Sequence, residues 1–175
     1  MPRSTRISLR TGEPDDARHI HALVMANLVE GHLLPRTLDE LTVHASRFVV
    51  ATRGRKIVGC SELSPLSPQV AEVRSLAVDK TARHHGVGTM LVEELRTRAR
   101  RESYDKLCAF THAPGYFIQM GFSIVPHLWI PEKIFTACVK CPLFRQCGQY
   151  AMVLPLDSIG DSIDSDAHTL VARHA

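Results

Sequence analysis

The run Arg83-His84-His85-Gly86-Val87-Gly88-Thr89 joins an apolar stretch ending in Leu76, Ala77 and Val78 to an amphipathic segment. In outline this is an anion site. The first turn of a helix carries backbone N–H groups with no intrahelical acceptor, and the helix dipole favours negative charge there. Glycines at 86 and 88 let the backbone approach a phosphate without a Cβ in the way. Arg83, with His84 and His85, adds positive charge beside it. A glycine pair before a helix also fits an ordinary tight turn. There is no Gly-Lys-Ser/Thr ending of a P-loop, and the glycine spacing is not that of a dinucleotide fold.

Two further groupings carry chemistry. Glu72 stands six residues before Val78 on the same β-rich run. Period-two alternation puts Glu72, Arg74, Leu76 and Val78 on one face, with Val73, Ser75 and Ala77 on the other. A carboxylate on a mostly apolar strand is a candidate general base. The alternative is a solvated salt bridge with Arg74 or a lysine. Cys138, Cys141 and Cys147 are a candidate zinc site, because a Cys-x-x-Cys pair can hold two thiolates on one metal. Cys147 would be the third ligand and His112 or His127 the fourth. The alternative is a loop packed by its thiols, with a reversible disulfide.

The elements that must position these residues follow from periodicity. A short strand is expected over 7–10, and a helix over 19–28 with Ile20, Leu23, Val24 and Leu28 on one side. Thr37 followed by Glu40 resembles a capping box opening a second helix that runs to about residue 46. Strands over 48–52 and 57–63 flank a polar turn, a hairpin signal, and 70–78 is another strand. Residues 86–100 make an amphipathic helix with Val87, Met90, Leu91, Leu95 and Ala99 inward. A strand over 107–111, a helix over 114–120 and strands over 122–125 and 149–156 complete the order. Helices interleaved with a mixed sheet give a layered α/β (α+β) architecture, one domain over 5–156, with 157–175 as a disordered tail.

Composition agrees. A chain of 175 residues with 45% hydrophobic content builds one proper core. The net charge of +3 is mild, and Arg96, Arg98, Arg100 and Arg101 read as a solvated helix face, so no nucleic-acid partner is expected. No stretch approaches the ~20 apolar residues of a membrane span, and the N-terminus lacks an apolar signal region. The expectation is a soluble, cytoplasmic protein. Five cysteines, an odd number, argue against a secreted disulfide framework. Cys60 and Cys108 read as small buried hydrophobes.

With its flanks, the turn resembles motif A of the GNAT superfamily: a strand, then Arg or Gln, two residues, Gly, any residue, Gly or Ala. The run Tyr116-Phe117-Ile118-Gln119-Met120-Gly121-Phe122 resembles the second signature of that family, an aromatic pair followed by a Gly-Phe corner. The resemblance implies a single GNAT-like domain with a mostly antiparallel sheet and acetyl-CoA as cosubstrate. It also implies that the 83–89 turn holds the CoA pyrophosphate and that Leu76, Ala77 and Val78 pair with the pantetheine arm. Phe117 would lie at the cofactor, and Glu72 would be the base. Phe117 stands where many members carry a general-acid tyrosine. Tyr116 is one place earlier, and one step along a helix turns a side chain by about 100°. Tyr116, Thr111 and His112 remain candidates for the acid, beside direct loss of the thiolate or a water-mediated proton.

The run Gly31-His32-Leu33-Leu34-Pro35-Arg36-Thr37 resembles a region of the acetyltransferase domain of bacterial N-acetylglutamate synthases. That likeness implies L-glutamate as acceptor, hence arginine biosynthesis, in a stand-alone form without the amino-acid kinase domain. Two carboxylates suit arginine forks, and Arg36, Arg74 and Arg145 are the candidates. The alternatives are another small amine, a protein amine, or a CoA-binding module without turnover. The partners expected are CoA and a small amine, with no membrane, and exposed sheet edges would allow a homodimer.

Overall fold

The computed structural model describes residues 6–28 and 33–156. Gly31 and His32, and the 157–175 segment expected as a tail, lie outside the described residues. β-rich runs at the expected places become β1 (Ile7–Thr11), β2 (Phe48–Arg53), β3 (Lys56–Pro65) and β4 (Val70–Val78). They are followed by β5 (Lys106–Thr111), β6 (Ser123–Val125) and β7 (Tyr150–Pro155). All seven join one sheet in the order β1-β2-β3-β4-β5-β7-β6. Only the β4–β5 pair is parallel. A mixed, mostly antiparallel sheet was the expectation.

The helices are α1 (Ala17–Leu28), α2 (Leu38–Val43), α3 (Val87–Arg101), α4 (Pro114–Ile118) and α5 (Pro131–Thr136). Thr37 Oγ1 accepts the Glu40 N–H at 3.2 Å, so half of the capping box forms. The other half does not, because the Glu40 carboxylate turns to Arg36. At its other end α2 stops at Val43, short of the expected 46, and a 3-10 turn at Ala45–Arg47 carries the chain into β2. Between 126 and 148 the sequence shows no periodicity, and α5 was not expected there. It is a six-residue helix opening on Pro131, held by the fully buried Ile130.

Three apolar clusters hold the layers. On one face, α3 sets Val87, Leu91, Val92, Leu95 and Ala99 against Val49, Val73 and Leu107. On the other, Ile20, Val24 and Leu41 of α1 and α2 cover Phe48, Val50, Cys60 and Ala77. Farther along that second face, Ile130 covers Val70, Cys108 and Ala151. Two expectations about α3 fail. Met90 is exposed while Val92 is buried. Arg98, read as part of a solvated face, is turned inward, donating to the Ser46 carbonyl at 3.2 Å and to Thr11 Oγ1 at 3.1 Å. Its Nη1 also reaches the Arg47 carbonyl at 3.4 Å, so the guanidinium ties α3 to the turn that leads into β2, while Nε is buried without a partner.

The aromatic–Gly–Phe corner is a helix stop. Gly121, at φ +88°, donates to the Ile118 carbonyl and Phe122 to that of Phe117. This is the bond pattern of a Schellman motif, which needs a left-handed residue where glycine stands.

Candidate active site

The positions of the site residues are decided by β4. Its pairing with β5 runs from Val70↔Lys106 to Val73↔Ala109 and stops there. Beyond that point the two strands part. On the other side, β3 pairs with β4 at Glu62↔Arg74 and then at Cys60↔Ala77, so Ser75 and Leu76 together face Ser61. One extra residue on one strand is a β-bulge. Ser75 takes φ +53°, a left-handed conformation that costs about 1–2 kcal/mol for a residue with a Cβ.

The bulge overturns the expected alternation. Ala71 and Val73 join the α3 cluster, and so do Leu76 and Val78, whereas Ala77 joins the α1–α2 cluster. Leu76 and Val78 therefore do not share a face with Glu72. An inserted residue reverses every side chain beyond it, because strand side chains have a period of two. Glu72 and Arg74 face one side of the sheet and the expected cofactor strand faces the other, with the opening between β4 and β5 connecting them.

A cavity of about 250 Å³ fills that opening. Of the candidate residues, Arg36, Glu72, Arg74, Leu76, Thr111, Tyr116, Phe117 and the three clustered cysteines line it. Arg145 does not, and its side chain is exposed on a 3-10 turn. Lys133, Phe110 and Ser75 also line it, and sequence reasoning did not single them out as site residues.

Glu72 sits in a salt bridge with a lysine, one of the two readings left open, but the pair is buried rather than solvated. Lys133 Nζ lies 2.8 Å from Oε1 and 2.7 Å from Oε2. The two side chains are 5% and 13% exposed. The ammonium also lies 5.2 Å from the centre of the Phe110 ring, a cation–π contact.

Arg36 is engaged by the fold. Its Nη1 donates to Glu62 Oε2 and to Ser75 Oγ, both at 2.8 Å, and Nε lies 2.8 Å from Glu40 Oε1. Nε, despite that contact, and Nη2 are both buried without a hydrogen bond of good geometry. The guanidinium thus ties α2 to β3 and to the strained bulge. Arg74, partly buried, has Glu40 at 4.0 Å.

At the turn, Gly86 is the N-cap of α3 at φ +74°, and His84 is also left-handed. Arg83 donates from Nε to the Val78 carbonyl and from Nη2 to Asn27 Oδ1, which braces the turn against β4 and α1. His85 Nδ1 lies 2.6 Å from the Arg83 carbonyl oxygen. Gly88 has a second reason to lack a side chain. A Cβ there would stand 2.6 Å from the Tyr116 hydroxyl.

That hydroxyl is buried and has no hydrogen-bond partner of good geometry. Burial pushes its pKa up, with Thr89 pulling slightly the other way. It stays protonated at neutral pH and is free to donate. Thr111 Oγ1 accepts the Ala113 N–H at 3.0 Å. Phe117 packs edge-on against Tyr116 and Phe122 and is mainly core.

The zinc expectation finds no ligand set. Among the described residues, no three His, Cys, Asp or Glu side chains come together as a metal's ligands. His127 packs on Phe110 instead, and His112 lies over Gly148. The reason is local: a 3-10 turn at Cys138–Lys140, closed by the Cys141 N–H onto the Cys138 carbonyl, lays these cysteines along the cavity wall. All five cysteines are free. Burial pushes the Cys60 thiol up to about 12 and raises that of Cys108 as well. Burial also raises Cys138, against the pull of Lys133. Since the thiolate is the nucleophile, a maleimide at neutral pH is expected to label the exposed Cys147 first and Cys138 later. Cys60 and Cys108 should be labelled only after unfolding. Peptide mass spectrometry reads the order, and equal protection of Cys138, Cys141 and Cys147 that a chelator relieves would reinstate the metal.

Among the described residues no helix is long and apolar enough to cross a membrane. The family described as Acetyltransferase (GNAT) matches residues 15–122. An uncharacterized N-acetyltransferase of Chlorobaculum tepidum is 30% identical, over 85% of this chain and 96% of its own length. An amino-acid acetyltransferase of Mycobacterium tuberculosis is 28% identical, with 77% of this chain and 78% of that protein covered. The N-acetylglutamate synthase of Neisseria gonorrhoeae, complexed with coenzyme A and N-acetyl-glutamate, superposes with a TM-score of 0.77 at 23% identity. That match covers 87% of this chain and 36% of the synthase, and it is a likeness of fold. A family match across most of the sheet, together with a full-length relative, is decisive: the chain belongs to the GNAT family and is an acetyl-CoA-dependent N-acetyltransferase.

Proposed function

We propose that the acceptor is the amine of a small amino acid, with L-glutamate the leading candidate and arginine biosynthesis the setting. The observation that carries this reading is the cavity between β4 and β5. It brings the carboxylate of Glu72 together with the cationic side chains of Arg36, Arg74 and Lys133. The glutamates that Arg36 and Arg74 hold, Glu40 and Glu62, do not line the cavity, so cations outnumber carboxylates along its wall, which suits an acceptor that brings carboxylates. The relatives named amino-acid acetyltransferases and the fold neighbour bound to N-acetyl-glutamate point the same way. A cytoplasmic setting accords with five free cysteines.

In this reading the cosubstrate supplies the acetyl group as a thioester. The N-terminal turn of α3, from Arg83 to Thr89, receives its phosphates on backbone N–H groups. The β4 edge at Leu76, Ala77 and Val78, which has no β5 residue paired to it, receives the extended arm. Glu72 takes the proton from the acceptor ammonium. The Tyr116 hydroxyl, protonated and buried beside Thr89, returns one to the departing thiolate; Thr111 is the second candidate for that step.

The test is a panel of amines with acetyl-CoA, followed by thiol release. L-glutamate is expected to be among the acceptors used well above background. Release with peptides or simple amines but with no amino acid would sink this assignment and leave the family assignment intact.

A further inference from the structure

Glu72 is covered. Both oxygens of its carboxylate accept from Lys133, so an acceptor's ammonium must either share the one carboxylate with a second cation or displace that cation. An acceptor with only a positive charge therefore crowds two like charges onto Glu72 or pushes Lys133 aside. It would leave that ammonium in a cavity wall with the Phe110 ring as its remaining contact. A buried charge left without its partner is strongly unfavourable.

An α-amino acid meets no such penalty. It carries an ammonium and a carboxylate one carbon apart. Its ammonium replaces Lys133 on Glu72, and its carboxylate replaces Glu72 on Lys133. The number of buried charges of each sign stays balanced, and every charge keeps a partner. We propose that the Glu72–Lys133 pair is a preformed receptor for the zwitterionic head of an α-amino acid, with Lys133 as the residue that selects for an α-carboxylate. This rests on the reading of the cavity as an amino-acid acceptor site.

Two features of the chain suit Lys133 to the role. It comes from α5, whose neighbour Ile130 is fully buried on the sheet, so its backbone is anchored while its flexible stem can swing between two partners. Arg36 and Arg74 are already engaged with glutamates, which leaves Lys133 as the cation whose own partner the substrate would displace.

The experiment compares an amino acid with the amine it becomes on losing its α-carboxyl group. L-glutamate and 4-aminobutanoate are the first pair, and other amino acids from the panel follow in the same format. The chain as it stands is expected to favour the amino acid. Lys133→Met should raise the amino-acid KM about 10- to 100-fold, the loss of one charge-assisted contact. It should also raise kcat/KM for the decarboxylated amine, because Glu72 is then uncovered. Lys133→Arg should recover much of the amino-acid preference. Acetyl-CoA affinity and thermal melting of each variant serve as checks on folding.

A rise for one acceptor class and a fall for the other is an outcome that structural damage does not produce. If Lys133→Met keeps the full amino-acid preference, or lowers both acceptors in step, the receptor is overturned while the amino-acid reading stands. If the unaltered chain acetylates no α-amino acid, both fall together.

Discussion

Exchanging Glu72 for glutamine is expected to slow acetyl transfer by about 10²- to 10⁴-fold, the range that a positioned general base supplies. Glutamine keeps the length and shape of the side chain but has no basic oxygen for the ammonium proton. The residue is 4% exposed at the last paired stretch of β4 and β5, so neither bulk water nor a neighbouring carboxylate can readily take over. The loss should be larger in kcat/KM than in kcat, because the same carboxylate also holds the acceptor's ammonium. Acetyl-CoA should bind as before, because the 83–89 turn lies beyond the bulge. Thiol release and calorimetric titration with acetyl-CoA measure the two halves separately. A variant that turns over within about threefold of the unaltered chain would remove Glu72 from the chemistry and leave it as the structural partner of Lys133.

Arg36→Ala should act on stability instead. Arg36 and Glu62 are each 1% exposed, with 2.8 Å between Nη1 and Oε2. Removing one member of a buried ion pair leaves an uncompensated charge and costs about 3–5 kcal/mol. The loss should be larger here than the pair alone implies, since the same guanidinium holds Ser75 Oγ at the bulge and Glu40 on α2. Urea unfolding followed by circular dichroism reads the shift in midpoint. The double variant Arg36→Met with Glu62→Gln leaves no fully buried charge orphaned, Glu40 being half-exposed beside Arg74, and should recover a large part of it. If Arg36→Ala instead keeps its midpoint and only raises the acceptor KM, the arginine is a substrate ligand, as the sequence suggested.

How much was legible beforehand depends on the range of the interaction. The glycine turn that opens α3 was readable because its determinants are neighbours in the chain. Gly86 at φ +74° and the amphipathic spacing of α3 are local properties, and so is the Schellman stop at Gly121. The succession of strands and helices along the chain could be read from hydrophobic patterning for the same reason. Glu72 stood out because a carboxylate on an apolar strand is anomalous wherever that strand pairs.

What lay beyond the sequence was decided between distant segments. A bulge is a mismatch in count between two strands, so Ser75 and Leu76 against Ser61 become visible only when β3 and β4 are in register. That single insertion separated Glu72 and Arg74 from Leu76 and Val78, which strict alternation had placed together. Lys133 reaches Glu72 across 61 positions of chain, from a segment whose helix is too short to leave a period. Arg36 meets Glu62 across 26, and burial, not residue type, gave an expected substrate fork partners within the fold. By itself the sequence determined the family, the sheet and helix layers, the glycine turn before α3 and the carboxylate of interest. Tertiary structure alone decided which cations surround that carboxylate and which of them the fold has already engaged. Charge pairing is set by distance in space and by desolvation, and neither is written in local spacing.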